Sequence, residues 1–162
     1  CNVTVVPYNT TAEEVLSLQH DGLFIYDGPG DPNDVPSVVK LIQELQGQMP
    51  ILGVELGHQL VCLANGAKVV KMDCGHHGCN HPIRNLDTGK IEFAPQSHNY
   101  MLDPESVDGT TLRITHVNVL DGTPEACEST VYPTLSAQFD LNGEHPLYEK
   151  FLKLMEEGKR NA

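Results

Sequence analysis

Basic residues are scarce in this chain. Lys and Arg number 10 against 22 Asp and Glu, a formal charge of −12. That balance excludes nucleic acid and anionic membrane surfaces as partners. Long apolar runs are missing as well: none reaches the roughly 18 residues of a membrane span. The opening Cys1-Asn2-Val3-Thr4-Val5-Val6 has no initiator Met and no basic signal-peptide start. It reads as a strand already under way, and a piece of a longer polypeptide is the expectation. Internal repeats, low-complexity segments and linkers are absent. The 5 cysteines are odd in number and follow no small disulfide-scaffold spacing. A reducing, cytoplasmic setting is expected from that usage.

What is present describes one domain. A chain of 162 residues with 40 % apolar content can bury a full core. Residues 2–7 read as a strand through Val3, Val5 and Val6. Thr10 or Thr11 can cap a helix over 12–18, with Glu13 and Glu14 in its first turn as the helix dipole favours. Leu23-Phe24-Ile25-Tyr26 reads as a strand ending in the loop Asp27-Gly28-Pro29-Gly30-Asp31-Pro32. Residues 35–48 form an amphipathic helix with Val35, Val38, Val39, Ile42 and Leu45 on one face. Met49-Pro50-Ile51-Leu52 is a buried strand, and residues 56–64 a helix closed by Asn65-Gly66. This β-α-β-α-β-α order predicts an α/β fold with a doubly wound, mostly parallel sheet. Further on, the pattern turns to antiparallel strands. Residues 67–72 are a short strand. Residues 80–86 and 90–95 flank the Asp87-Thr88-Gly89 turn as a hairpin. Residues 112–119 and 126–132 alternate, 134–139 form a last core strand, and 144–157 a terminal amphipathic helix.

Ligands in such sheets bind at the carboxyl ends of the strands. The loop at Gly28–Pro32 and the stretch Gly53-Val54-Glu55-Leu56-Gly57-His58-Gln59 both lie at that edge. The latter is a strand, a tight glycine-flanked turn and a helix, the pattern of a nucleophile elbow. Such elbows present Ser or Cys at the centre. Here the central residue is Glu55.

Three segments together carry a family resemblance: Asp27-Gly-Pro-Gly-Asp-Pro32, Gly53-x-x-x-Gly57-His58-Gln59 and Gly75-His-His-Gly-Cys-Asn-His-Pro82. With Gln96-Ser97-His98-Asn99-Tyr100 and Asp121-Gly122-Thr123 in support, the chain resembles the class I (triad) glutamine amidotransferase domain. Within that family it is most similar to the small, glutaminase subunit of carbamoyl-phosphate synthetase. The likeness runs essentially the full chain. It implies a class I amidotransferase-like, flavodoxin-like fold with a small antiparallel extension. It also implies that 1–162 is a single domain beginning one strand and one helix inside the family's, without the family's separate N-terminal domain.

The resemblance implies a function too. Members of the family hydrolyse glutamine and pass ammonia to a large ATP-grasp synthetase partner, for pyrimidine and arginine synthesis. A Cys thiolate attacks the amide, a His shuttles protons, a Glu orients the His, and backbone N–H groups hold the oxyanion. Gly28 and Gly30 match the oxyanion loop. Leu56 and Gln59 match elbow residues that touch glutamine, and Ser97, Asn99 and Tyr100 occupy the glutamine-binding segment. That segment departs from the family's Asn-His-Gly-Phe, with a shortened anchor at Ser97 and a filled glycine at Asn99, which weakens the expected glutamine site. The triad positions hold Glu55, Asp140 and Asn142 in place of Cys, His and Glu. Tyr26 replaces a small residue and narrows the pocket.

A carboxylate is a poor nucleophile toward an amide, and without a near-neutral imidazole no efficient proton shuttle exists. The expectation is therefore a catalytically silent domain with a structural or regulatory role. Two other readings compete: a working glutaminase rearranged around His145 or another Cys, and a module that binds glutamine or a related amino acid without turnover. Glu55 and Asp140 are expected to face each other, sharing a proton or a cation. Cys74, His76, His77, Cys79 and His81 have zinc-ligand character. The resemblance implies that the histidines there are structural, so no metal and no cofactor is expected. His20 and His116 read as ordinary residues, Cys62 as a core residue.

Overall fold

In the computed structural model, which describes residues 1–141 and 143–161, the chain order is α1 (Ala12–Ser17), β1 (Leu23–Ile25), α2 (Pro36–Leu45), β2 (Ile51–Val54), α3 (Leu56–Ala64), β3 (Val69–Asn85), β4 (Ile91–Leu102), β5 (Leu112–Asn118), β6 (Pro124–Ser129), β7 (Thr134–Ala137) and α4 (Pro146–Asn161). The seven strands form one sheet in the order β1-β2-β7-β6-β5-β3-β4. β1, β2 and β7 run parallel. The pairings from β7 onward are antiparallel. The α/β class stands, with helices on both faces of the parallel part. The antiparallel part is larger than the small extension expected from the sequence.

Local chemistry accounts for the helices. Thr11 and Glu14 form a reciprocal capping box at the start of α1. Pro36 opens α2, where its missing N–H costs nothing. Val38, Leu41, Ile42 and Leu45 then fall on one buried face. Alternation along β2 sorts the core. Ile51 joins α1, α2 and α3 on one side of the sheet. Leu52 and Val54 join Leu135, Ala137, Phe139 and the α4 residue Phe151 on the other. A third cluster, including Cys62, Val69, Leu102 and Cys127, fills the space between α3 and the antiparallel strands.

Three expectations change. Residues 2–7 form no strand; Val3 and Val5 are 81 % and 91 % exposed. β1 is the edge strand and its outer side stays open, but the segment does not pair with it. The strands expected at 67–72 and 80–86 are one long strand, β3, whose pairing with β4 shifts register between Lys71 and His76 and between Gly78 and His81. The Gly- and His-rich stretch bends the ladder without breaking it. β4 likewise runs past Pro95 to Leu102. No helix among the described residues is long and apolar enough to cross a membrane.

Candidate functional site

The elbow is built by backbone. Glu55 joins β2 to α3 with φ 55° and ψ −114°, a region that costs a non-glycine residue about 1–3 kcal/mol. Its N–H donates to Ala137 O at 2.8 Å, and its carbonyl accepts from His58 N at 3.0 Å. A Cβ at Gly53 would lie 2.4 Å from Gly57 O, and one at Gly57 would lie 2.1 Å from Ile25 O. The flanking positions therefore admit only glycine, and Glu55 is the side chain pushed out at the sheet edge.

Glu55 borders a cavity of ≈ 440 Å³. Gly28, Gly30, Leu56, Gln59, Ser97, Asn99 and Tyr100, the binding residues expected from the resemblance, all line it. Hydrogen bonds tie the walls together. Tyr100 Oη donates to Asp31 Oδ2 at 3.0 Å, joining β4 to the loop after β1. Gln59 Nε2 donates to Gln138 Oε1 at 2.9 Å and to the Tyr100 carbonyl at 3.3 Å. His58 points elsewhere: it is buried, with Nδ1 2.9 Å from Ser136 Oγ. Burial pushes its pKa down to about 3, so the ring is neutral.

The carboxylate pairing differs from the expected one. Burial, then Asp27, push the pKa of Glu55 up to about 7. Among the neighbouring charges Asp27 contributes most to this shift and Asp140 less. The loop after β1 lines the same cavity as the elbow and places Asp27 in its wall. Asp140 follows β7, with its N–H on Pro95 O at 3.1 Å and its Oδ1 3.4 Å from Tyr26 Oη. It does not line the cavity. Tyr26 has its pKa raised by burial, then by Asp140 and Glu55. Asn142 lies outside the described residues.

No cysteine lines the cavity. Cys62 and Cys127 are buried and Cys1, Cys74 and Cys79 exposed, all free. Burial raises the Cys62 pKa well above its usual value, which removes thiolate character. His145 does not line the cavity either; its Nε2 lies 3.2 Å from Glu92 Oε1 and its ring packs on Phe139. The one imidazole at the wall is His98, whose Nδ1 donates to the Tyr100 carbonyl at 2.8 Å. Burial lowers its pKa. The site can hold and exchange a proton at Glu55, but it presents neither a thiolate nor an imidazole aimed at one.

Behind that wall sits a buried polar cluster. His76 lies between Asp121 Oδ2, at 2.8 Å from Nε2, and Glu125 Oε1, at 3.4 Å from Nδ1. Its pKa is raised to about 9, by Glu125 first and then Asp121. Gln96 Oε1 lies 2.7 Å from His76 Nδ1 and 3.0 Å from His98 Nε2. His77 contacts Asn99 Oδ1 at 3.1 Å, and His81 stacks on His76. Among the described residues the one constellation with metal-ligand geometry is His76, His98 and Glu125; Cys74 and Cys79 are not part of it.

Sequence reading overlooked Asp27, His98 and Gln138 as cavity residues. Asp27 carried a signal, since it directly precedes the glycine loop at a strand's carboxyl end. Gln138 directly follows β7, whose end meets the elbow. His98 carried none, because its inward turn depends on the register of β4 against β3.

A family model described as glutamine amidotransferase class-I matches residues 1–146. The carbamoyl phosphate synthase small chain of Listeria monocytogenes serotype 4b (strain F2365) is 42 % identical over 174 residues, covering 100 % of this chain and 47 % of that one. Its counterpart in Bacillus cereus (strain ATCC 10987 / NRS 248) is 43 % identical over 168 residues, covering 100 % and 46 %. The chain thus spans about half the length of these relatives. Among solved structures, a protein from Thermoplasma acidophilum described as a GMP synthase subunit superposes with TM-score 0.79 at 17 % identity, covering 98 % of this chain and 83 % of that one. That likeness concerns the fold.

Proposed function

Because the chain belongs to the class I glutamine amidotransferase family, we propose that it is a family domain without glutaminase activity, acting structurally or as a regulator in a cytoplasmic carbamoyl-phosphate synthetase assembly. One observation carries this reading: the side chain that the elbow pushes into the cavity is Glu55, paired with Asp27. Covalent attack on an amide needs a nucleophile that is strong when ionised and a base to supply protons to the leaving ammonia. Glu55 is half protonated near neutral pH and is a weak nucleophile even when charged. His98 is committed to the Tyr100 carbonyl and is neutral. Loss of triad members typically removes several orders of magnitude of rate.

The remaining architecture supports a retained scaffold. Gly28 and Gly30 would form the oxyanion loop, and Leu56, Gln59, Ser97, Asn99 and Tyr100 the wall that contacts glutamine in active relatives. The small-chain names of the relatives support a large ATP-grasp synthetase as partner. The test is ammonia release from glutamine, with and without such a partner, beside an authentic class I glutaminase. We expect release at the uncatalysed background. Rates equal to the authentic enzyme overturn the reading.

A second reading, binding of glutamine without turnover, is favoured by Gln138. Its Nε2 is buried without a hydrogen-bond partner on a residue that lines the cavity. Turned toward the cavity, that side chain would offer its donor to a ligand carbonyl or carboxylate. Calorimetry with glutamine separates this reading from an empty scaffold: saturable heat supports it, and none removes it.

A further inference from the structure

The cavity wall carries charge of one sign. Asp27 and Glu55 line it, and no Lys or Arg does. The remainder is glycine, hydroxyl, amide and apolar surface with one histidine, His98, whose pKa burial lowers.

The groups facing Glu55 do not offset this. Asp27 acts on it from the loop after β1 and Asp140 from beyond β7. Tyr26, at the end of β1, feels both Asp140 and Glu55. On α3, His58 is neutral and turned to Ser136. From β4, neutral His98 and Tyr100 complete the wall. Like charge disfavours ionised Glu55, and a proton relieves it. A cation relieves it too and leaves the carboxylate ionised.

An ammonium group fits better than a metal ion. Hard divalent ions take about six or more oxygens. Among the described residues no third carboxylate comes within metal-ligand reach of Asp27 and Glu55. An ammonium instead carries three N–H donors, which carboxylate oxygens accept. A water-sized ion fills only about 30 Å³, whereas the cavity holds ≈ 440 Å³. There is room for an organic stem against Leu56 and Tyr100.

Gln138 indicates the other end of the ligand. The residue is 1 % exposed, and its Oε1 accepts from Gln59 Nε2. Its Nε2 has no partner, although the residue lines the cavity. An unused amide donor calls for a carbonyl or carboxylate. One molecule bearing both an ammonium group and a carboxylate meets both demands.

We propose that the cavity binds a cationic amino acid, with its side-chain ammonium against Glu55 and Asp27 and its carboxylate toward Gln138. This builds on the second reading above, in which the cavity binds without turnover, and changes the preferred ligand. Glutamine's neutral amide gains less from the two acids than a full positive charge does. Glu55, which carries a proton below about pH 7, releases it to solvent as the ammonium binds. A lysine-type ammonium stays charged to about pH 10. Affinity therefore rises with pH up to about 7 and then levels.

Calorimetry at constant ionic strength, with lysine, norleucine and glutamine as probes, tests this. Norleucine is lysine without its side-chain ammonium. We expect one lysine per chain, glutamine weaker by about 10-fold or more, and norleucine weaker still. Lysine affinity should rise from pH 5 to 7. Glu55→Gln should weaken lysine about 10–100-fold and flatten that rise. Asp27→Asn removes the acid that acts most on Glu55, so the rise should move to lower pH. Glu105→Gln, at an exposed acid outside the cavity, should leave affinity unchanged. That control separates the site from the overall charge of −12. Glutamine binding as tightly as lysine overturns the proposal and keeps the second reading. Lysine binding without glutamine does the reverse, and heat from none of the three removes both. Norleucine matching lysine, or lysine affinity unchanged in both Glu55→Gln and Asp27→Asn, also overturns the proposal.

Discussion

Glu55 occupies a strained backbone position and carries a pKa of about 7 against an ordinary 4.5. A carboxyl whose folded pKa is raised binds more protons in the folded than in the unfolded state between those two values. Stability from this group is therefore greatest below about pH 4.5 and falls as pH rises to 7, then stays low. Glu55→Gln keeps the shape of the protonated acid and cannot ionise. It should match the native chain near pH 5 and exceed it at pH 8. The gain is on the order of 1 kcal/mol, after discounting for the solvent that reaches the site. That corresponds to roughly 2–4 °C in Tm at this chain length. Thermal melts at the two pH values check it; a difference independent of pH would refute the Asp27–Glu55 coupling.

At the level of elements, the β2–α3 junction rests on close backbone approach. Gly57→Ala places a Cβ 2.1 Å from Ile25 O in β1, and neither backbone can yield. We expect a loss of about 3 kcal/mol or more in a urea titration. Gly66→Ala, where φ is +85° but space is open, should cost only about 1–2 kcal/mol. Equal costs for the two would mean that the junction is not close-packed. The helices were legible from sequence because caps and 3.6-residue periodicity act within a few residues. α1 and α2 both carry such signals. The strands were less so. The apolar alternation at 2–7 predicted a strand that has no neighbour, and the Gly/His stretch in β3 hid a continuous strand interrupted only by register shifts.

On the scale of the whole molecule, one continuous sheet joins the parallel part that bears the elbow to the antiparallel part that bears the histidine cluster. Phe139, fully buried, packs near His116 on β5 and near His145 just before α4. Unfolding should therefore be a single cooperative transition, with far-UV circular dichroism and tyrosine emission coinciding. Tyrosine is the useful fluorophore, since the chain has 5 Tyr and no Trp. Phe139→Ala should lower stability by about 3–5 kcal/mol without splitting the transition. Two separated transitions would show that the halves fold independently.

The sequence by itself determined the α/β class, the elbow with glutamate at its tip, and the glycine loop beside it. These are properties of single residues and short spacings, where backbone sterics and side-chain chemistry act locally. Only the tertiary structure decided that Asp27 is the charge acting most on Glu55, that Asp140 stands back from the cavity, and that His76, His98 and Glu125 converge. Those outcomes depend on loop closure and strand register. A shift of one residue in register sends a side chain to the opposite face of the sheet.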